Sequence, residues 1–449
     1  MKPYASYKPS GVAWLGDVPS HWASKRLKHI GQFRAGAGFP IEEQGQPDNP
    51  LPFFKVKDID GSNQGGVITT ADSTVSIETA NRLGAKIFPK NSIVFAKVGA
   101  ALLLNRFRLL GVDACVDNNM MGYMINADEA FSEFMYWAMQ RINFSEIVNP
   151  GTVPSLNEPL ISNLFMAIPP PDEQQAIADY LDAETARIDT LVQEKEELIG
   201  LLREAKLSTV SSILLGGLVG EIKKPSNTKW LGDVPASWVV CRVKHAVMRI
   251  EQGWSPECEN RLCAPGEWGV LKAGACNHGR FNQAEHKFLP ATLNPIPEYE
   301  VFAGDVLMSR ASGSADLVGS VAFVDEVQPH LMLSDKLFRL VPEEHVDGRY
   351  LAWALNTDAQ RRQILNCVRG AEGLARNITT TDIKQLWIAL PTLDEQKQLA
   401  VEANKVASGF DALITHTQEE IALLKELRAA TIADAVLGRV DVRSLTQKQ

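Results

Sequence analysis

No stretch of this chain is apolar over the roughly 18 to 20 residues that a membrane-crossing helix needs. Its start, MKPYASYKPSG, carries no apolar segment of the secretory kind. A cytoplasmic protein without membrane contact is therefore expected. Cysteine is scarce, six residues at irregular spacing (115, 241, 258, 263, 276 and 367), which fits reduced thiols and not a disulfide framework. Cys258, Cys263, Cys276 and His278 lack the paired C-x2-C knuckles of a zinc site, so no metal is expected. The phosphate loop G-x-x-x-x-G-K-[ST] is missing, which leaves no site for ATP hydrolysis. Also missing is the Asn/Asp-Pro-Pro-aromatic tetrapeptide with which an amine methyltransferase grips a flipped base. Phe33-Arg34-Ala35-Gly36-Ala37-Gly38 has the wrong spacing for a glycine-rich cofactor loop. Glu395-Gln396-Lys397 has the E-x-K form of some nuclease centres, but its copy earlier in the chain reads Glu173-Gln174-Gln175, which points to a helix start. A self-sufficient methyltransferase or nuclease is thus disfavoured, and no cofactor is expected on this chain.

What is present is enough for two or three cores: 449 residues, 45% of them hydrophobic. The net charge of -9 argues at first against a nucleic-acid partner, because phosphate binding needs clustered Lys and Arg. The acidity is concentrated, however: residues 169–220 hold 4 basic and 10 acidic residues, whereas 1–168 hold 15 of each. The larger segments are free to turn a basic face toward DNA.

The chain contains itself twice. Trp14-Leu15-Gly16-Asp17-Val18-Pro19 with Trp22 recurs as Trp230-Leu231-Gly232-Asp233-Val234-Pro235 with Trp238, an offset of 216 that also carries Arg26, Lys28 and His29 onto Arg242, Lys244 and His245. Asp172-Glu173-Gln174 recurs as Asp394-Glu395-Gln396 and Leu201-Leu202 as Leu423-Leu424, at an offset of 222. Between these matches the middles (30–155 and 246–378) share only echoes, such as Ser92-Ile93-Val94 and Asp305-Val306-Leu307 leading to Lys97 and Arg310. The order of parts is A-B-A-B, with boundaries at 1–168, 169–220, 221–390 and 391–449. The four tryptophans read as core anchors.

Each B part follows prolines with an Asp suited to cap a helix. A seven-residue frame then places Ile177, Glu184, Leu191, Leu198 and Ala205 at one seam position and Leu181, Ile188, Lys195 and Leu202 at the other. The second copy gives Leu399, Val406, Leu413 and Leu427 with Ala403, Phe410, Thr417 and Leu424. Two such long helices in one chain are expected to pair, with Gly216-Gly217 and Gly438 ending them. The acidic outer face of the first is either a solvated surface or a docking surface. In the A parts Lys86–Phe88, Ser92–Ala96 and Asp305–Met308 read as strands, and Phe131–Arg141 and Arg349–Arg361 as helices.

The W-L-G-x-V-P-x-x-W pattern at 14–22 and 230–238, a variable block, and a P-x-x-D-E-Q lead into a long helix at 169–174 and 391–396 resemble the specificity subunits of type I restriction-modification enzymes. The resemblance spans nearly the whole chain. It implies an α+β protein: two mixed α/β target-recognition domains separated by two long helices in an antiparallel coiled coil, with an internal pseudo-two-fold repeat. It further implies a non-catalytic subunit that reads a bipartite, asymmetric site on double-stranded DNA. Two methylation subunits and the restriction (translocase) subunits would be its partners, and S-adenosylmethionine, ATP and Mg2+ would bind on those partners. A related enzyme cutting on both sides of its site, or a helical scaffold that binds protein, would present similar parts. Arg and Lys suit guanine edges and phosphates, and Asn suits adenine. The candidates for DNA contact are Lys97, Arg106, Arg108 and Arg141 in the first A part, and Arg310, Arg361, Arg362, Arg369, Arg376 and Asn377 in the second.

Overall fold

The computed structural model describes residues 3–44, 48–59, 66–148, 153–216, 222–370 and 376–443. They gather into two compact units, one from residues 1–196 and 419–449, the other from 197–418. Each is mixed α/β, and each contains half of both long helices.

In the first unit a five-stranded sheet runs Gly31–Ala35, Met120–Ile125, Ile93–Ala96, Phe107–Leu110, Val67–Ile68, antiparallel except for the last pair. The central strand Ile93–Ala96 is buried throughout, which accounts for its unbroken apolar sequence. The second unit builds its corresponding sheet from Val247–Gln252, Leu337–Pro342, Val306–Ser309 and Val321–Phe323, with Val306–Ser309 again central and buried. A smaller three-stranded sheet accompanies each: Cys115–Val116, Leu51–Phe54 and Thr74–Val75 in the first, His286–Phe288, Gly269–Leu271 and Leu331–Met332 in the second. Lys86–Phe88 is no strand, because only Phe88 makes a bridge, to Ala114. The helix expected over Arg349–Arg361 is two, Gly348–Leu355 and Asp358–Leu365. Between them Asn356 turns its side chain to the backbone of Val321 and Ala352, and Thr357 bonds Ala354, so backbone groups at the break are satisfied locally.

The repeated motif forms a short hairpin in each unit. Tyr7–Pro9 pairs with Asp17–Pro19 and Lys223–Pro225 with Asp233–Pro235, in the same register. Gly16 and Gly232 enter the second strand at φ +64° and +62°, a backbone region that explains glycine in both copies. The second tryptophan of each motif is a core residue: Trp22 and Trp238 are buried and donate their indole N–H to Glu173 and Glu395, both at 2.9 Å. The first is not. Trp14 is 39% exposed, and Trp230 is half-buried with the Lys229 ammonium over its ring.

The long helices span Pro171–Gly216 and Leu393–Val436. They begin ahead of the Asp expected to cap them. The first starts on Pro171, and proline suits the first helical position because its missing N–H has no partner there in any case; the second starts on Leu393, so Asp172 and Asp394 both fall inside the first turn. The Glu and Gln that follow bind tertiary partners. Gln174 accepts from Phe131 N–H (2.8 Å) and donates to Pro169 O, and Gln396 accepts from Asp347 N–H (2.8 Å) and donates to Pro391 O. Each glutamine thereby ties a helix start to the body of its unit.

Within each unit the helical halves pair antiparallel. Asp189 meets Arg428 and Lys195 meets Glu420 in the first, and Lys206 meets Asp411 in the second. The seam differs from the expected one by a residue on one side. Leu181, Ile188, Lys195 and Leu202 face inward as expected, but their partners are Thr185, Val192, Ile199 and Lys206, while Leu198 is 41% exposed. The second helix departs identically: Ala403, Phe410, Thr417 and Leu424 alternate with Ala407, Ile414, Ile421 and Arg428, and Leu413 and Leu427 are exposed. The polar seam residues are satisfied, Thr185 and Thr417 by carbonyls one turn back and the cations by facing carboxylates. Gly216 closes the first helix, and Gly217 lies outside the described residues. Past the second helix Gly438 takes φ +67° and leaves room for Pro19 and Trp22.

Candidate nucleic-acid interface

Both central strands deliver a cation to the same structural position. After Ile93–Ala96, the Lys97 N–H donates to Asn119 O (2.8 Å) and its carbonyl accepts from Leu156 N–H (2.9 Å). After Val306–Ser309, the Arg310 N–H donates to Lys336 O (2.8 Å) and its carbonyl accepts from Ile378 N–H (3.1 Å). Immediately beyond Leu156 and Ile378, Asn157 and Thr379 cap short helices, Glu158–Ser162 and Thr380–Gln385. The sequence between these landmarks is largely unrelated, yet the hydrogen-bond frame is the same.

In the second unit this frame gathers four of the candidates. Ala311–Ser312 pairs with Arg376–Asn377, and Arg369 bridges Asn377. Arg310, Arg369, Arg376 and Asn377 therefore share one small patch. The Arg310 guanidinium donates to Asp335 O (3.0 Å), and Arg369, its side chain 70% exposed, reaches Asp382 at 3.2 Å. Arg361 is differently engaged: its guanidinium donates to the carbonyls of Val318 (2.8 Å) and Asp316 (2.9 Å), and burial holds its pKa below the usual arginine value. Arg362 is exposed and paired with Asp358 one turn away.

In the first unit the register Phe95 to Phe107 sets Arg106 at the same end of the sheet as Lys97. Asn105 accepts from Phe144 N–H (2.8 Å), which draws the turn after Arg141 toward that end. Arg108 lies opposite Val94 and donates to Phe107 O. Arg141 is exposed just past the helix Ser132–Met139.

Two features escaped sequence reasoning. Glu173, 2% exposed, accepts from Tyr4 Oη (3.1 Å), Trp22 Nε1 (2.9 Å) and Arg443 Nη1 (2.8 Å) and contacts His21 Nε2 at 2.7 Å. It joins residues from both ends of the chain, and the repeated Asp-Glu-Gln was its only signal. The other is the outward setting of Arg26, Lys28 and His29 and of their copies, whose repetition was visible but whose surface role was not. Of the residues considered for zinc, Cys276 is buried in the cluster with Leu271 and Val301, whereas Cys258 packs with Val270 and Leu289.

Residues 19–199 match the family model described as type I restriction modification DNA specificity domain. Over 206 residues the chain is 29% identical to the type I restriction enzyme EcoEI specificity subunit of Escherichia coli, a match covering 45% of this chain and 33% of that one. It is 21% identical over 440 residues to the EcoKI specificity subunit of Escherichia coli strain K12, covering 95% and 90%. A solved structure described under complex assembly and conformational transition of the type I R-M system is similar with a TM-score of 0.70 at 16% identity, covering 94% of this chain and 99% of that one. The HsdS subunit from Thermoanaerobacter tengcongensis is similar with a TM-score of 0.51 at 17% identity, covering 94% and 98%. These two likenesses establish the fold.

Proposed function

We propose that this chain, which is similar to the specificity subunits of type I restriction-modification systems, reads a bipartite, asymmetric sequence on double-stranded DNA, one half-site per unit, and has no catalytic centre of its own. One observation carries this reading: Lys97 and Arg310 stand in the same hydrogen-bonded frame while the sequences around them differ. A shared frame with different contents suits two readers of one kind that address different bases. Two methylation subunits and the restriction subunits would be positioned by this chain, and S-adenosylmethionine, ATP and Mg2+ would belong to them. Arg310, Arg369, Arg376 and Asn377 in the second unit, and Lys97, Arg106 and Arg141 in the first, are the side chains best set to meet DNA. Arg361 is better read as holding the loop Asp316–Val318 in place.

The test is to co-express the chain with its neighbouring methylation subunit and map adenine methylation across the host genome by single-molecule sequencing. A split, asymmetric motif that vanishes on deletion of this chain is expected. An active, stable complex that writes no such motif would transfer the reading to a protein-binding scaffold.

A further inference from the structure

Arg26-Leu27-Lys28-His29 and Arg242-Val243-Lys244-His245 keep three polar positions unchanged across halves whose middles diverge. Each folds as a single tight 3-10 turn that buries Leu27 or Val243 and leaves the Lys and His in solvent. Each arginine lies across from an aromatic residue in a two-stranded ladder, Arg26 with Phe165 and Arg242 with Trp387, and its guanidinium stands over that ring, 5.0 and 3.8 Å from the centroid. The cations are thus stiffened without being neutralised. Among the described residues none of these six side chains has an ion pair, and the nearby carboxylate Glu129 is held by Lys25 at 2.6 Å.

Their placement relative to Lys97 and Arg310 is also repeated. Asn163, just past the helix Glu158–Ser162, accepts from Lys28 Nζ (3.0 Å) and Arg26 Nη1 (3.4 Å), and Arg242 donates to the carbonyl of Gln385, the last residue of the helix Thr380–Gln385. Just ahead of the opposite ends of those helices, Leu156 and Ile378 donate their N–H groups to Lys97 and Arg310. At 1.5 Å per residue each helix is about 8 Å long. That is two to three phosphate steps at about 3.4 Å of duplex axis per phosphate on one strand.

Resting on the DNA-reading role above, we propose that each R-x-K-H turn is a sequence-independent clamp on the sugar-phosphate backbone, one short helix away from the base-reading end of its unit. Two half-sites of different sequence have only their backbone in common, and the R-x-K-H charge sits in the part of each unit that repeats. The clamp fixes register, and the variable part supplies the choice of base.

The experiment uses the full chain in complex with its methylation subunit and a duplex library of random sequence, comparing wild type with Lys28→Ala/Lys244→Ala and with the charge-retaining Lys28→Arg/Lys244→Arg. The alanine pair is expected to recover the same DNA motif, to weaken binding of all duplexes by one common factor, and to reduce the slope of log affinity against log salt by about 1.8, or 0.9 per phosphate contact. The arginine pair should restore the slope. An unchanged slope in the alanine pair, or intact DNA binding with loss of the methylation subunit, would overturn the clamp. Failure of the wild-type complex to select any motif would instead overturn the reading role beneath it.

Discussion

Glu173 illustrates how much one side chain can carry. It is buried, and Tyr4, His21, Trp22 and Arg443 all converge on it; truncation strands the buried Tyr4 hydroxyl and Trp22 indole N–H, whereas His21 and Arg443 stay open to water. Glu173→Ala is expected to destabilise the first unit by about 2–4 kcal/mol, and Glu395→Ala, at the more accessible Trp238 contact, by clearly less; denaturant unfolding of the two variants gives the comparison. An equal cost would mean that the convergence adds nothing. Thiol chemistry provides a second test at this scale. Burial pushes the Cys115 thiol up to about 11 and raises Cys276 as well, so at pH 8 in the native state alkylation should spare both and begin at half-buried Cys258 and Cys367, as mass spectrometry would reveal. The equivalence of Lys97 and Arg310 was legible, because each follows an apolar strand of matching length. The engagement of Arg361 was not, since nothing in its neighbours' identity announces two backbone carbonyls in reach.

At the scale of elements, the long helices were legible in position and pairing but not in rotation. Leucines at 198, 413 and 427 attract an apolar frame, yet the pairing prefers Thr185, Lys206 and Arg428 one residue onward, where their hydroxyls and charges find partners. The error is the same in both helices because the repeat carries it. A local frame cannot see the facing helix, and the facing carboxylates of Glu420, Asp411 and Asp189 decide the matter. Ile199→Ala should therefore cost about 2–4 kcal/mol, as buried aliphatic truncations do, whereas Leu198→Ala should stay within about 0.5 kcal/mol. Thermal unfolding followed by circular dichroism distinguishes them, and the reverse order would restore the frame read from sequence.

For the molecule as a whole, the repeat announced two units, and exchanging residues 30–155 for the corresponding block of a relative is expected to alter one half of the methylated motif and leave the other. Change in both halves would end the modular view. What linear order concealed is that residues 419–449 complete the unit begun by residues 1–196, since antiparallel pairing joins segments that lie hundreds of positions apart. Arg443 and Glu173 are separated by 270 positions, and Tyr7 and Gly438 by 431. Synthesis from the N-terminus then sets an order of maturation: the unit of residues 197–418 has all its residues in hand first, and residues 1–196 wait for residues 419–449. A chain cut short after Gln418 should resist protease across 197–418 and be cleaved within 1–196. During every round of translation, the earliest-made half is the one that stays exposed longest to chaperones and proteases.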